Sequence, residues 1–155
     1  MQSAVGVCAS ASPPALQRFG GAWVDRLAWV CLGGALGSGA RYLISLAALR
    51  LLGSSFPFGT LTVNVLGSFL IGLIMHVGLE TTLISPAARI FLTTGVMGGL
   101  TTYSTFNYET LTLATEGEWQ GAALNLAVTV AACLAAGLLG LGSGRALFGS
   151  ISSGG

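Results

Sequence analysis

The sequence predicts an all-α membrane protein with four transmembrane helices, and three observations lead to this fold class. Of the 155 residues, 53% are hydrophobic and only 7% are charged. About a quarter of the residues in a soluble domain are charged, so this chain cannot cover a water-facing surface. Four apolar stretches of spanning length follow one another, and short polar segments connect them. We therefore expect a multi-pass protein of the cell membrane, embedded in the lipid bilayer.

The two chain ends differ in composition from the spans between them. Residues 1–22 are rich in Ser, Ala, Gly and Pro, and they lack the unbroken apolar run of a signal peptide. We expect a disordered N-terminal extension there and a flexible Ser/Gly tail at 148–155. Between them lies a four-helix subunit at 23–147, with spans predicted at 23–52, 59–79, 87–113 and 119–147.

The first predicted span carries closely spaced glycines. Gly33 and Gly37 form a Gly-x-x-x-Gly pair, a pattern that lets two helix backbones approach each other in lipid. We expect this part of the span to contact another helix.

Polar side chains recur every four residues along the second and fourth predicted spans, so each set lies on one helix face. These two stripes contain no charged residue, and neutral hydroxyl and amide donors can hold a small anion without trapping it. The pattern favours the passive movement of a small polar species. The stripes are Thr60, Asn64 and Ser68 in the second span, and Asn125, Thr129 and Cys133 in the fourth.

The third predicted span contains an unusual stretch, residues 95–109, with three glycines followed by four hydroxyl residues. Two interpretations fit this composition: a tight helix–helix contact, or a helix that is broken so that its backbone and hydroxyls can meet an ion. Tyr103 and Phe106 share a helix face within this stretch. They either pack as an ordinary aromatic pair or present their positive ring edges to an anion.

Two segments, residues 59–67 and 98–109, resemble the signature segments of the fluoride channels (Fluc, also called CrcB). They read Gly-Thr-Leu-x-Val-Asn-x-x-Gly and Gly-Gly-x-Thr-Thr-Tyr-Ser-Thr-Phe followed by Glu109. The resemblance extends over all four spans, residues 27–147. It implies a passive, fluoride-selective channel that exports cytoplasmic fluoride and lowers fluoride toxicity, and not an enzyme.

The resemblance also implies roles for particular residues. A sodium ion at the centre of a dimer would be held by the backbone carbonyls of Gly98 and Thr101, where the third helix breaks. The sequence departs from the family at two of the implied pore positions, because position 103 is Tyr instead of Phe and position 125 is Asn instead of an aromatic hydroxyl. Cys133 likewise replaces a hydroxyl residue. The implied fluoride pore is lined by Asn64, Tyr103, Ser104, Thr105, Phe106, Asn125 and Thr129.

The family architecture implied by the resemblance is an antiparallel, dual-topology homodimer. Its subunits insert in both orientations, which requires nearly balanced charges in the loops. Here four arginines (18, 26, 89 and 145) lie on one side and Arg50 lies on the other, so the positive-inside rule favours cytoplasmic termini. The sequence therefore leaves two partners open: an identical subunit, or an oppositely oriented homologue.

Two other classes of membrane protein compete with the channel. A small four-helix multidrug exporter needs a carboxylate in the first span, where this chain has Arg41 and no acidic residue at mid-depth. A membrane scaffold without transport activity would use the glycines and hydroxyls for packing alone. A net charge of +1 without any lysine argues against a nucleic-acid partner.

Overall fold

The structure is a computed structural model that describes residues 22–80 and 83–148, and all regular elements in these ranges are helical. The all-α fold is thus confirmed. The predicted extension at 1–22 and the predicted tail at 148–155 lie outside the described residues, except for residues 22 and 148. The elements are α1 (Ala22–Leu52), α2 (Phe58–Glu80), α3 (Pro86–Ile90), a π-helical segment (Phe91–Met97), α4 (Gly98–Leu100), α5 (Tyr103–Thr115) and α6 (Trp119–Phe148).

Three of the described helices, α1, α2 and α6, are long and apolar enough to cross a membrane. The third predicted span has a different construction. It begins with α3, the π-helical segment and α4. It continues through two extended residues, Thr101 and Thr102, and ends with α5. We call this set of segments, from Pro86 to Thr115, the broken span. Because of the interruption, none of its pieces has the length of a complete spanning helix.

Local sequence signals account for the helix ends. Ser85 caps α3 by accepting a hydrogen bond from the Ala88 N–H at 3.2 Å, and a proline follows at the first helical position. At the end of α5, Gly117 adopts a positive φ of 89°. Its N–H donates to the Ala114 carbonyl, and the next N–H donates to the Leu113 carbonyl. This Schellman arrangement turns the chain directly into α6.

Glycines set the distances between the helices. The predicted Gly-x-x-x-Gly pair of α1 packs on the broken span: a Cβ at Gly33 would lie 2.6 Å from the Phe91 carbonyl oxygen and 2.9 Å from the Gly95 Cα. A Cβ at Gly37 would overlap the Val96 carbonyl. The same device joins α2 to α6, where a Cβ at Gly140 would overlap the Phe69 carbonyl. Small residues therefore bring the helix backbones into direct contact, as expected for packing in lipid.

Several polar side chains are buried in the subunit, whereas many large apolar side chains are exposed. Asn64, Asn125 and Thr129 are buried, and Asn125 is only 1% exposed. By contrast, Leu36 on α1 is 63% exposed and Leu138 on α6 is 70% exposed. This distribution suits a protein whose solvent is hydrocarbon, because buried polar groups then find partners within the chain.

Candidate functional site

The interruption of the broken span is held by a side chain from α2. Thr101 (φ −84°, ψ 154°) and Thr102 (φ −151°, ψ 116°) are both extended, so the backbone groups of Thr102 leave the helical pattern. The Asn64 side chain replaces the missing partners: its Nδ2 donates to the Thr102 carbonyl at 3.1 Å, and its Oδ1 accepts from the Thr102 N–H at 2.8 Å. A single amide thus satisfies both backbone groups of the residue at the break, as a buried backbone requires.

The carbonyls of Gly98 and Thr101 are among those that lose their helical donors at this break. In an α-helix each N–H donates to the carbonyl four residues earlier. The Gly98 carbonyl would accept from Thr102, and the Thr101 carbonyl would accept from Thr105. Both N–H groups are engaged by side chains instead, the first by Asn64 Oδ1 at 2.8 Å and the second by Thr102 Oγ1 at 3.2 Å. The oxygens of Gly98 and Thr101 are therefore suited to accept a cation, which fits the sodium ion that the family resemblance implies.

The hydroxyl groups after the break form a connected cluster at the start of α5. Thr102 Oγ1 caps the helix, donates to Thr105 Oγ1 at 3.0 Å and lies 3.2 Å from Ser104 Oγ. The Ser104 and Thr105 side chains are exposed on the subunit surface. Three hydroxyls of the 95–109 stretch thus lie together at the helix N-terminus, where backbone N–H groups and the helix dipole favour a negative charge.

A cleft of about 410 Å³ lies beside the break and brings together residues from α2, the broken span and α6. Asn64, Tyr103, Phe106 and Thr129, which the sequence assigned to the pore, all line it. Gly98 and Thr101 line it as well. Thr93 also lines the cleft, although no role in the site was predicted for it and its residue type carried no signal. The other polar members of the lining are Ser68, Thr93, Thr102 and Cys133.

The predicted aromatic pair forms a direct ring contact at this cleft. The ring centroids of Tyr103 and Phe106 lie 5.8 Å apart, with an interplanar angle of 56°. Their environments differ, since Tyr103 is 78% exposed whereas Phe106 is 6% exposed. Phe106 is therefore fixed by packing inside the subunit, and Tyr103 projects away from it.

The remaining predicted pore residues do not line this cleft. Ser104 is exposed at the start of α5, and Asn125 is enclosed between α5 and α6. Thr105 lines a second cleft of about 450 Å³ beside the connection between α1 and α2. The structure thus gathers four of the seven predicted pore side chains around one cleft and places three outside it.

The second cleft is lined by the carboxylate of Glu109, a residue with no predicted role in the site. Thr60 Oγ1 donates to Glu109 Oε1 at 2.8 Å, which joins α2 to α5. The other carboxylate oxygen, Oε2, is buried and has no hydrogen-bond partner among the residues described. The Thr60/Asn64/Ser68 stripe therefore serves two clefts, with Thr60 at one and Asn64 and Ser68 at the other.

Comparisons with known proteins show which family the chain resembles. Residues 28–141 match the family described as CrcB-like protein, Camphor Resistance (CrcB). The chain is 60% identical over 111 residues to the fluoride-specific ion channel FluC of Anaeromyxobacter dehalogenans, covering 72% of this chain and 88% of the relative. It is 48% identical over 124 residues to the protein of the same name from Sorangium cellulosum, covering 80% of this chain and 98% of the relative.

Proposed function

The chain belongs to the CrcB family, and we propose from this premise that it is a fluoride-selective channel, a multi-pass membrane protein through which fluoride leaves the cytoplasm passively. The observation that supports this function best is the cleft between α2, α5 and α6. It joins Asn64, Phe106 and Thr129 from three helices in an otherwise apolar subunit. Passive export of an anion that accumulates in the cytoplasm would lower fluoride toxicity.

The donors at the cleft suit a small, strongly hydrated anion. The Asn64 amide has two N–H groups, and one of them is used on the Thr102 carbonyl. The second N–H and the positive edge of the Phe106 ring supply weak, neutral partners for fluoride. Thr129 also lines the cleft, but its hydroxyl proton is donated to Asn125 Oδ1. Neutral partners replace part of the hydration shell and still allow the ion to leave. Conduction therefore requires no covalent chemistry and no enzymatic step.

The residues outside the cleft enter the proposal in two ways. Ser104 and Thr105 extend the path beyond the aromatic pair, because their hydroxyls are exposed next to Tyr103 at the N-terminus of α5. Asn125 lies behind the cleft wall, and its side chain donates a hydrogen bond to Thr110 on α5. In this arrangement an ion passes from the hydroxyl cluster to the cleft along one face of the broken span.

We further propose that Gly98 and Thr101 bind a structural sodium ion through their backbone carbonyls. Sodium is a hard cation that prefers oxygen ligands, and it would supply a fixed positive charge at the break. Each subunit offers two carbonyl oxygens, so a second subunit related by two-fold symmetry would raise the number to four. The support within one subunit is the loss of the helical donors of these two carbonyls.

A partner subunit is proposed for the face that carries Gly98 and Tyr103. A Cβ at Gly98 would meet no atom within 4 Å in the subunit, and Tyr103, Ser104 and Asn107 are exposed although they lie in the third span. Polar side chains exposed at membrane depth require protein or water beside them. We propose an antiparallel homodimer, and a paired homologue of opposite orientation is the alternative consistent with the arginine distribution.

Fluoride efflux from reconstituted liposomes, followed with a fluoride electrode, tests the proposed function. We expect fluoride to leave much faster than chloride under the same gradient, without a proton gradient or a nucleotide. Efflux of an organic cation would support the multidrug exporter instead, and a preparation that moves neither substrate would support the scaffold. Either result would overturn the channel proposal.

A further inference from the structure

A chain of three side-chain hydrogen bonds connects α6 to the backbone of Phe106. Thr129 Oγ1 donates to Asn125 Oδ1 at 3.3 Å, and Asn125 Nδ2 donates to Thr110 Oγ1 at 2.8 Å. Thr110 Oγ1 then donates to the Phe106 carbonyl at 2.8 Å. Each donor in this relay has an acceptor, and each acceptor belongs to the next residue along the relay.

The relay is enclosed between the helices. Asn125 is 1% exposed and Thr129 is buried, so neither side chain has bulk water as an alternative partner. An amide or hydroxyl left unpaired in such a place loses the full solvation of the group. The relay therefore fixes one rotamer at Thr110, the one in which its hydroxyl reaches back to the carbonyl four residues earlier.

The hydroxyl bond to the Phe106 carbonyl affects the helix that carries the aromatic ring. Back-bonding of threonine to the carbonyl at i−4 bends a helix slightly. Here the same hydroxyl also accepts from Asn125, which polarises it and strengthens its bond to the carbonyl. The first turn of α5 is thereby tied to α6, and this turn sets where the Phe106 ring meets the cleft.

We infer that Asn125 and Thr110 are positioning residues that hold the Phe106 ring against the cleft, and that Asn125 acts through Thr110 and not by contacting the ion. The inference rests on the proposed function, because Phe106 matters here as a wall of the fluoride path. It assigns a role to Thr110, which sequence analysis left without one, and it moves Asn125 from the pore lining to its support.

Three variants test the relay by flux. Thr110→Val removes the hydroxyl at constant shape, Asn125→Leu removes the amide, and the double variant removes both. We expect each single variant to lower fluoride efflux and the fluoride-over-chloride ratio about tenfold, and the double variant to be no worse than the singles, because groups in one network are not additive. Thr110→Ser keeps the hydroxyl and is expected to retain efflux within about twofold of the unsubstituted protein.

Thr115→Val is the matched control for Thr110→Val. The Thr115 hydroxyl also bonds a main-chain oxygen of α5, the Thr112 carbonyl at 3.0 Å, but it is exposed and bonds no other helix among the described residues. We expect this variant to leave efflux unchanged. If Asn125→Leu lowered efflux while Thr110→Val did not, Asn125 would act on the ion directly and the relay would be excluded.

A spectroscopic measurement separates the relay from the proposed function. With 4-fluorophenylalanine at position 106, the ¹⁹F signal reports the surroundings of the ring whether or not the protein conducts. We expect Thr110→Val and Asn125→Leu to shift or broaden this signal and Thr115→Val to leave it unchanged. An unchanged signal in both relay variants overturns the inference. Absent fluoride efflux from the unsubstituted protein, with the signal changes present, overturns only the proposed function.

Discussion

The α2–α6 pair and the broken span are held together by different interactions. α2 and α6 are continuous helices whose backbones touch at glycines, such as Gly140 against the Phe69 carbonyl and Gly72 against the Gly137 carbonyl. In the broken span, side chains replace backbone partners, as Asn64 does for Thr102. The pair depends on small volume, whereas the break in the other region depends on specific donors and acceptors. The glycine contacts of the pair thus fix the spacing of two helices, and both regions contribute polar groups to the cleft.

This difference predicts that substitutions in the two regions have distinct consequences, and the largest effect is expected at Asn64. Asn64→Leu leaves the N–H and the carbonyl of Thr102 buried and unpaired, at about 1–3 kcal/mol for each group. We expect a loss of fluoride efflux of about a hundredfold, measured in liposomes. Thr62→Val, on an exposed position of the same helix, serves as the control. Wild-type efflux in Asn64→Leu would show that the break does not need this clamp.

Gly98→Val tests the half of the broken span that faces the proposed partner. The backbone there has an ordinary helical φ of −62°, and a Cβ meets nothing within the subunit. We therefore expect the subunit to fold normally while dimer formation weakens about tenfold, equivalent to ~1.4 kcal/mol. Chemical cross-linking at several sodium concentrations measures this. A stable, fully active dimer would speak against both the interface and the sodium site.

Gly140→Ala applies the same kind of change to the α2–α6 pair. Its Cβ would overlap the Phe69 carbonyl, and overpacking of this kind costs about 1–3 kcal/mol. We expect a lower thermal midpoint and less assembled protein, with the fluoride-over-chloride ratio of the remaining channels unchanged. Gly142→Ala, on the same helix with no atom within 4 Å of its Cβ, is the control. A changed ion ratio would show that the glycine contacts of this pair also affect ion selection, which would contradict this prediction.

Tyr103→Phe is expected to have the smallest effect. The Tyr103 side chain is 78% exposed in the subunit, and its ring contact with Phe106 does not depend on the hydroxyl. Exposed substitutions usually change stability by no more than about 0.5 kcal/mol, so we expect efflux within about twofold of the unsubstituted protein. A larger change in efflux would show that the hydroxyl is itself a donor on the fluoride path.

The broken span also shows how far the sequence alone leads. The composition was sufficient to predict an all-α membrane protein, and the glycine and hydroxyl run at 95–109 indicated either a close contact or a break. The structure contains both, because Gly95 packs on α1 and the chain extends at Thr101 and Thr102. The two interpretations describe successive halves of one stretch.

The partners of the polar residues were harder to predict. The four-residue spacing of Thr60, Asn64 and Ser68 places Asn64 on the same helix face as the other two. Its hydrogen-bond partner, Thr102, lies 38 residues away in the sequence, which the spacing does not predict. Spacing likewise groups Asn125 with Thr129 and Cys133, yet the last two line the cleft and Asn125 turns toward Thr110. A periodic pattern gives a helix face, whereas the choice between cleft and neighbouring helix depends on the rotation of packed helices. The π-helical segment had no signal in its residue types.

The unequal lengths of the helices have a mechanical consequence. α1 has 31 residues and is about 46 Å long, and α2 has 23 residues and is about 35 Å long, whereas a hydrocarbon core is about 30 Å thick. α1 must therefore tilt or extend beyond the core, and its tilt changes with bilayer thickness. Gly33 and Gly37 contact the backbone of the broken span directly, so we expect a change in the tilt of α1 to move the broken span. The geometry of the break is thus expected to depend on lipid chain length, whether or not an ion is bound.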